Sequence, residues 1–414
     1  MKTLITGSSI LCSAGISMEE AWSSFLNQKN TMSRRYYNLG TEYTQNFPVY
    51  PIRELDLSTW FSSKELNLIK KIPFFNDKDF QFLLVAIKQL IIESNLEVSN
   101  NNRISLVIAH ENPGVNNLTD SLLKEDFYNK NLKESFQNYQ EDFFHIQTFP
   151  HIFYLAKIFG FKGQNYIVNN ACASGSYGLD LANSLIKSKK SDIAIVVSSD
   201  YAHPTEFLWL NKKGFCSNKE TILPFSLSGD GTVLGDGASA ILLESEEHAF
   251  NRTANVKCEY VGGAFQQETW RMTLPNVKEN SYSQVIDQVI KDSKVNTIDL
   301  IIPHGTGNYL WDKYEMKEII KSFSGKQQPF ISGFKQYIGH TLGASSLLEI
   351  TILIECLCKN IILPIHYKVR DESSPKFMTK NIIKQKVRQE NLKTVMKTVS
   401  AYGGFTSASI FKKV

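Results

Sequence analysis

A cysteine stands where a predicted strand meets a predicted helix, in the segment NNACASGSYG at residues 169–178. The strand-forming run YIV precedes this segment, and apolar residues recur at helical spacing over residues 177–187. The first turn of a helix offers free N–H groups and a positive dipole end, which stabilise a nearby thiolate. Thiolate is the attacking form of cysteine, so the pattern indicates that Cys172 is a nucleophile. The alternative is a small buried core residue, as most free cysteines are.

Length and composition limit the class of protein. A chain of 414 residues can form two or three domains, or one large α/β body made of two fused halves. The formal charge of +4 is small and dispersed, which argues against a nucleic-acid partner. The six cysteines show no CxxC pair, so neither a zinc site nor a disulfide framework is indicated. We also find no signal peptide and no run long enough to cross a membrane, and therefore predict a cytoplasmic protein without a membrane partner.

The chain alternates between predicted strands and helices. The first half has an amphipathic helix over residues 79–94 and buried strands over 104–109 and 192–200. Residues 30–75 are predicted to be irregular surface loops, and residues 113–148 to be partly helical, and neither segment is assigned any chemistry. The second half repeats the alternation, and LVIAH at 106–110 parallels LIIPH at 300–304. This order suggests an α/β protein built from two similar halves.

Two histidines occupy corners of the same kind as the Cys172 corner. His304 lies in PHGTGN, directly after a predicted buried strand, where sites of α/β proteins usually form. His340 lies in KQYIGHTLGA, just before a predicted helix. A lone histidine before glycine is often only a loop residue held by backbone contacts, and geometry must decide between the two interpretations. A cysteine with two imidazole groups suits acyl transfer followed by stabilisation of an oxyanion or enolate.

With these motifs the chain resembles the β-ketoacyl-ACP synthases, which are condensing enzymes of the thiolase-like fold. The resemblance rests on ACASG at 171–175, HGTG at 304–307, and Lys335 followed by GHT at 339–341, and it extends over nearly the whole length. It implies an α/β body with αβαβα layers, made of two pseudo-repeated βαβαβαββ halves. Residues 1–250 would form the N-terminal half with the nucleophile, and residues 251–414 the C-terminal half with both histidines.

The resemblance also implies an elongating Cys-His-His synthase. Such an enzyme performs a decarboxylative Claisen condensation of an acyl thioester with malonyl-ACP to give β-ketoacyl-ACP, in fatty acid or in specialised polyketide or polyene biosynthesis. Cys172 would carry the acyl group, and His304 and His340 would hydrogen-bond the thioester oxygen of malonyl-ACP. Lys335 and Glu349 would organise the site.

Substrate contacts and partners follow from the same resemblance. An N–H group of the loop at 402–405 would join that of Cys172 in an oxyanion hole, and the residues predicted to bind substrate are Thr306, Asn308, Gly403, Gly404 and Phe405. The substrates would be carried on the phosphopantetheine of an acyl carrier protein, without a metal or a free cofactor. The expected assembly is a homodimer, or a heterodimer with a related ketosynthase-like subunit.

Departures from the family pattern leave other interpretations open. Asn308 stands where the family usually has Thr, Gly229 where Arg is common, and Ser226 where Asp is common. The loop at 401–405 is also rearranged, from which we predict an altered entrance to the acyl pocket. A catalytically silent partner subunit of the chain-length-factor kind and a cysteine hydrolase are the alternative functions. A thiolase would need a second cysteine in residues 401–409, and this segment contains none.

Overall fold

The computed structural model describes residues 1–38, 44–98, 103–116, 119–120, 147–365, 381–384 and 387–414. The strands within these ranges are β1 Thr3–Cys12, β2 Ser33–Asn38, β3 Thr44–Tyr50, β4 Ile104–Ala109, β5 Tyr166–Val168, β6 Ile193–Asp200, β7 Leu234–Gly235, β8 Gly237–Ser245, β9 Cys258–Gln267, β10 Leu300–Ile302, β11 Phe330–Ile331, β12 Ile361–Ile362, β13 Arg388–Gln389, β14 Thr394–Ser400 and β15 Phe405–Lys412. The helices within them are α1 Met18–Leu26, α2 Ser63–Ile69, α3 Lys78–Glu93, α4 Phe149–Phe159, α5 Ser174–Lys187, α6 Pro204–Lys212, α7 Glu246–Asn251, α8 Ser281–Ser293, α9 Tyr309–Ser322, α10 Lys335–Ile338 and α11 Ser345–Lys359.

Ten of these strands form one mixed sheet with an internal repeat. The spatial order is β11-β10-β14-β15-β9-β1-β8-β6-β4-β5, and β1 pairs antiparallel with β9 where the two halves join. Numbered along each half and read outward from this junction, the strands follow the order 1-5-4-2-3 in both halves. The predicted pseudo-repeat is therefore confirmed in the topology. The division at residue 250 stays a prediction.

Helices cover both faces of the sheet and meet between its halves. Helices α5 and α11 pack against each other in the middle, while α3 covers β1, β6 and β8, and α8 covers β9 and β15. Three large clusters of buried apolar residues fill the spaces between these layers. The layers match the αβαβα arrangement expected of a thiolase-like fold. Helix α11 is buried along almost its whole length, including the charged residues Glu349 and Glu355 among its mainly apolar side chains.

The prediction that residues 30–75 form irregular surface loops is wrong. This segment contains β2, β3 and α2, and β3 pairs in parallel with β7, far along the chain. Arg35 on β2 donates two hydrogen bonds to the carboxylate of Asp236, which is buried and lies just beyond β7. Local sequence could not reveal this structure, because the contacts that order it come from residues about 200 positions away.

Other predicted elements are close to the observed ones. The helix predicted at 79–94 is α3, and the strands predicted at 104–109 and 192–200 are β4 and β6. Most of the segment predicted to be partly helical, 113–148, lies outside the described residues. Among the helices that the structure describes, none is both long and apolar enough to cross a lipid bilayer.

Candidate active site

The strand-to-helix corner at Cys172 is built as the sequence predicts. Strand β5 ends at Val168, and α5 begins at Ser174, with the preceding Ala171 in the left-handed region at φ 50°. The Ser174 hydroxyl donates to the carbonyl of Ala171 and accepts the N–H of Asn170, which closes the corner. Gly175 is required by close packing, because a Cβ there would lie 2.5 Å from the backbone nitrogen of Leu347 on α11. Cys172 is thereby held at the layer between the two halves.

The His304 loop follows β10 and is fixed by two buried carboxylates on α9. Glu315 accepts the backbone N–H groups of His304 and Gly305 at 3.2 and 2.8 Å. Asp312 accepts the N–H of Gly307 at 3.2 Å. The two glycines have φ values of +53° and +80°, in the region that glycine adopts without strain. The glycines of HGTG therefore shape the turn that aims the imidazole.

The His340 loop connects α10 to α11 and is anchored to the strand region before β7. The N–H of His340 donates to the carbonyl of Val233, and the carbonyl of His340 accepts the N–H of Gly235. Gly339, with φ at +76°, makes the turn into this position. The segment at 233–235 thus supports a candidate catalytic loop.

The three loops bring the predicted nucleophile and both histidines together. The sulfur of Cys172 lies 3.5 Å from Nε2 of His340. The rings of His304 and His340 are 5.1 Å apart, nearly perpendicular, and the sulfur and one nitrogen of each ring lie within 4.8 Å of one another. All three side chains are buried at the bottom of one cavity. Residues separated by up to 168 positions along the chain thus meet at one point.

Behind the histidines lies a buried ion-pair group. Lys335 donates from Nζ to Oε1 of Glu349 at 2.8 Å and contacts Nδ1 of His304 at 3.3 Å. Lys397 places its Nζ 2.6 Å from Oε2 of Glu349 and donates a hydrogen bond to the carbonyl of Pro303. All three charged side chains are at most 1% exposed. One carboxylate is therefore shared by two lysines next to the site.

This environment sets the protonation of the histidines. Burial lowers the pKa of His304 well below its usual value, and the nearby Lys335 ammonium lowers it further. Burial and then Lys335 lower the pKa of His340 in the same way. An ammonium has only donors, so Nδ1 of His304 must accept, which leaves the proton of the neutral ring on Nε2. His304 is thus poised to donate a hydrogen bond into the cavity.

Cys172 differs from the sequence-based expectation of a stabilised thiolate. Burial raises the pKa of its thiol well above the usual value, the carboxyl group of Glu111 raises it further, and only then does Lys335 oppose the rise. The electrostatic effect of the helix start is smaller than these costs. The resting group is therefore a thiol, and Nε2 of His340 is positioned to receive its proton.

The cavity has a volume of about 540 Å³. Thr306 and Asn308 line it, as predicted for substrate-binding residues. Gly403, Gly404 and Phe405 are not among its lining residues, and the N–H of Gly403 donates to the carbonyl of Met272 instead. The N–H of Gly403 is therefore not the oxyanion donor, which leaves Tyr402, Gly404 and Phe405 in this loop. Tyr402 lines the cavity, and Phe405 packs in the apolar cluster around Cys172.

Three residues at the site were missed by sequence reasoning. Lys397 could have been noticed as the one lysine within the apolar strand β14. Glu111 follows the carboxyl end of β4, the same kind of position that identified His304. Tyr402 lines the cavity and contacts Trp209, Phe215 and Trp311, but no local pattern points to it.

The cysteine and the two histidines also have ligand types and spacing that a transition metal ion would accept. The ammonium groups of Lys335 and Lys397 lower the pKa of both imidazoles, and the same positive field opposes the binding of a cation.

Comparison with known proteins assigns the family. The N-terminal domain model of β-ketoacyl synthase matches residues 78–249, and the C-terminal domain model matches residues 257–367. The chain belongs to the β-ketoacyl synthase family. The family resemblance inferred from the three motifs is thereby confirmed.

Similar β-ketoacyl synthases differ in how much of their length is matched. The chloroplastic 3-oxoacyl-[acyl-carrier-protein] synthase I of Hordeum vulgare is 27% identical over 61% of this chain, which spans only 56% of that protein. 3-Oxoacyl-[acyl-carrier-protein] synthase 2 of Vibrio harveyi is 22% identical over 100% of this chain and 99% of its own. The solved ishigamide ketosynthase/chain length factor superposes with a TM-score of 0.82 at 19% identity, covering 100% of this chain and 99% of that chain. This structural likeness confirms the thiolase-like fold.

Proposed function

We propose that this protein catalyses decarboxylative condensation of an acyl thioester with malonyl-ACP to give β-ketoacyl-ACP. The single observation that carries the proposal is the meeting of the Cys172 sulfur with two neutral imidazoles, one backed by a lysine. The names of its relatives, which act as 3-oxoacyl-[acyl-carrier-protein] synthases, support the acyl carrier protein as partner.

In the first half-reaction, the thiol of Cys172 attacks the carbonyl carbon of the acyl thioester. The sulfur–carbon bond forms as the thiol proton passes to Nε2 of His340, 3.5 Å away. Backbone N–H groups of Cys172 and of the loop at 402–405 stabilise the oxyanion. The carrier thiolate then leaves and takes up the proton. The product is an acyl group bound to Cys172, and no resident cofactor is needed.

In the second half-reaction, malonyl-ACP enters the same cavity. The bond to its carboxylate breaks, carbon dioxide leaves, and the electron pair forms an enolate whose oxygen accepts a hydrogen bond from Nε2–H of His304. His340 donates a second hydrogen bond once its neutral ring carries the proton on Nε2 instead of Nδ1. A neutral imidazole donor suits this task, because it stabilises the developing charge without giving up its proton. The enolate carbon attacks the acyl carbon, and the Cys172 thiolate leaves and takes up a proton from solvent.

The proposal is tested by supplying the protein with acyl-ACP and malonyl-ACP. We expect an acyl adduct on Cys172, release of carbon dioxide and formation of β-ketoacyl-ACP, each followed by mass spectrometry. Release of free fatty acid instead would indicate a cysteine hydrolase. Absence of any adduct would indicate a silent partner subunit.

The His304→Ala variant separates the two half-reactions. We expect condensation to fall about 10²–10³-fold, the usual effect of losing one oxyanion donor, while acylation of Cys172 changes little. The reason is that the sulfur contacts His340 rather than His304. Adduct formation and condensation rates are measured by intact-mass spectrometry, with His248→Ala as control, since His248 lies at α7 and pairs with Glu244. Equal loss of both half-reactions would contradict the assigned role.

The finer assignments remain part of this proposal. A specialised polyketide or polyene pathway is favoured because the loop at 402–405 is rearranged and the carboxyl group of Glu111 lies beside Cys172 in the cavity. A dimer, either of two copies or with a related subunit, is supported by the solved ishigamide ketosynthase/chain length factor. The cytoplasmic location stays a prediction, because similar proteins include a chloroplastic one.

A further inference from the structure

A carboxyl group that the mechanism does not use faces the nucleophile. Glu111 follows β4, and its Oε1 lies 3.9 Å from the sulfur of Cys172. It lines the same cavity as Cys172, His304 and His340. An acyl group on the sulfur has its first carbons within a few bonds of this position. The first carbons of an acyl chain on Cys172 therefore lie within reach of the carboxyl group of Glu111.

Glu111 is held in this place by its neighbours. The side-chain amide of Asn169, which precedes the nucleophile corner, donates a hydrogen bond to the backbone carbonyl of Glu111. On the other side, Gly343 leaves the space that Glu111 fills, because a Cβ at Gly343 would lie 2.9 Å from both Cγ and the backbone nitrogen of Glu111. The N–H of Asn112 donates to Nδ1 of the buried His110, which fixes the following turn. These contacts hold the backbone and Cγ of Glu111 between the loops that carry Cys172 and His340.

Most of the other side chains that line the cavity are apolar or already have hydrogen-bond partners. Val115, Trp209, Leu210 and Phe215 are apolar. The polar residues Asn116, Thr119, Thr205 and Glu206 form hydrogen bonds within the protein. Burial raises the pKa of Glu206 well above its usual value, and the charge of Glu111 raises it further. Burial likewise raises the pKa of Glu111. A carboxylate accepts a hydrogen bond from a hydroxyl group, and a protonated carboxyl group can also donate one to a carbonyl oxygen.

A saturated hydrocarbon chain fits the position next to Glu111 poorly. Once the thiol of Cys172 is acylated, Glu111 loses its contact with the S–H group, and a saturated chain would cover the carboxyl group without offering a hydrogen bond in return. An acyl group with an oxygen on its second or third carbon would instead give Glu111 a partner.

We propose that Glu111 determines substrate specificity by selecting acyl groups that carry a hydroxyl or keto oxygen next to the thioester. This inference rests on the proposed function, since it describes which acyl group Cys172 accepts. Both kinds of acyl group carry an oxygen substituent near the thioester carbon. The experiment below tells the hydroxyl-bearing and the keto-bearing acyl groups apart.

The experiment compares three acyl carrier protein thioesters of equal length, butyryl, 3-hydroxybutyryl and 3-oxobutyryl, as donors to the full chain. The rate of acylation of Cys172 is followed by intact-mass spectrometry. We expect at least one oxygenated donor to react about tenfold faster than butyryl, the effect of one hydrogen bond gained. Preference for only one oxygenated donor identifies the substituent that Glu111 binds.

Two variants separate hydrogen bonding from packing. Glu111→Leu is expected to abolish or reverse the preference by speeding butyryl transfer, while Glu111→Gln, of similar size and still able to donate and accept, keeps much of it. Exposed Glu247, changed to Leu, is the control and leaves the preference unchanged. Melting temperatures of all variants show whether each is folded.

The outcomes distinguish this inference from the proposed function. Acylation of Cys172 by all three donors at equal rates, or a preference that survives in Glu111→Leu, overturns the role of Glu111 but leaves the condensation proposal intact. Failure of every donor to acylate Cys172 in the unaltered protein overturns both.

Discussion

The Cys172→Ala variant is expected to form no acyl adduct and to lose condensation on the order of 10⁴-fold or more, as covalent enzymes do without their nucleophile. Cys172 has the one sulfur that lies within reach of both candidate catalytic histidines among the described residues. No neighbouring group can replace it, because the adjacent carboxyl of Glu111 would form an anhydride rather than a thioester. Incubation with acyl-ACP followed by intact-mass spectrometry gives the adduct, and release of carbon dioxide from malonyl-ACP gives the condensation rate.

Cys216→Ala is the matched control for this prediction. Cys216 is also buried, but its sulfur contacts the carbonyl of Phe207, and it is not one of the residues lining the cavity. Its removal should leave the adduct and the condensation rate close to those of the unaltered protein. An adduct of the same mass on the Cys172→Ala protein would show that acylation occurs elsewhere and would end the assignment of the nucleophile.

The largest expected loss of stability comes from Glu349→Leu. Glu349 is the carboxylate between Lys335 and Lys397, and all three side chains are buried. Removing it leaves two ammonium groups in the interior without their counter-charge, which costs about 3–5 kcal/mol in buried pairs of this kind. Urea denaturation followed by circular dichroism measures the change in unfolding free energy. Condensation should fall as well, because Lys335 loses the partner that holds it against His304.

Glu355 offers a control on the same helix. It contacts two lysines as well, Lys257 at 3.6 Å and Lys359 at 3.4 Å, but these lie at the solvent edge, where an ion pair contributes about 0–1 kcal/mol. Glu355→Leu should therefore cost much less than Glu349→Leu. Adding Lys397→Met to Glu349→Leu should recover part of the lost stability, since one uncompensated charge is removed. Similar losses for the two single variants would contradict the argument from burial.

Whether a site residue could be predicted depends on how much of the evidence for it lies in the neighbouring sequence. Cys172, His304 and His340 could be predicted because each lies next to a glycine-containing turn, after a strand for Cys172 and His304 and before a helix for His340. Lys335 and Glu349 were predicted only through the family resemblance, and the structure brings them together as an ion pair. The raised pKa of Cys172 could not be predicted, because it depends first on burial in the folded protein and then on Glu111, which lies 61 positions away.

Residues 30–75 show that contacts with distant residues also limit the prediction of secondary structure. Its composition is typical of loops, yet Asp236 orders it by accepting hydrogen bonds from Arg35 and from the N–H of Ile52. A pattern of turn-forming residues describes what a chain prefers in isolation, while a buried carboxylate from a distant part of the chain decides what it does in the folded protein.

The close contact at Gly175 affects the distance between the sulfur of Cys172 and the ring of His340. Because this residue has no side chain, α5 can lie directly against the backbone of α11, and these two helices begin immediately after the loops that carry the sulfur and the His340 ring. The distance between the Cys172 sulfur and Nε2 of His340 therefore depends on how closely two helices from opposite halves of the molecule pack. A single methyl group inserted at that point would act as a wedge and lengthen the path that the thiol proton has to travel.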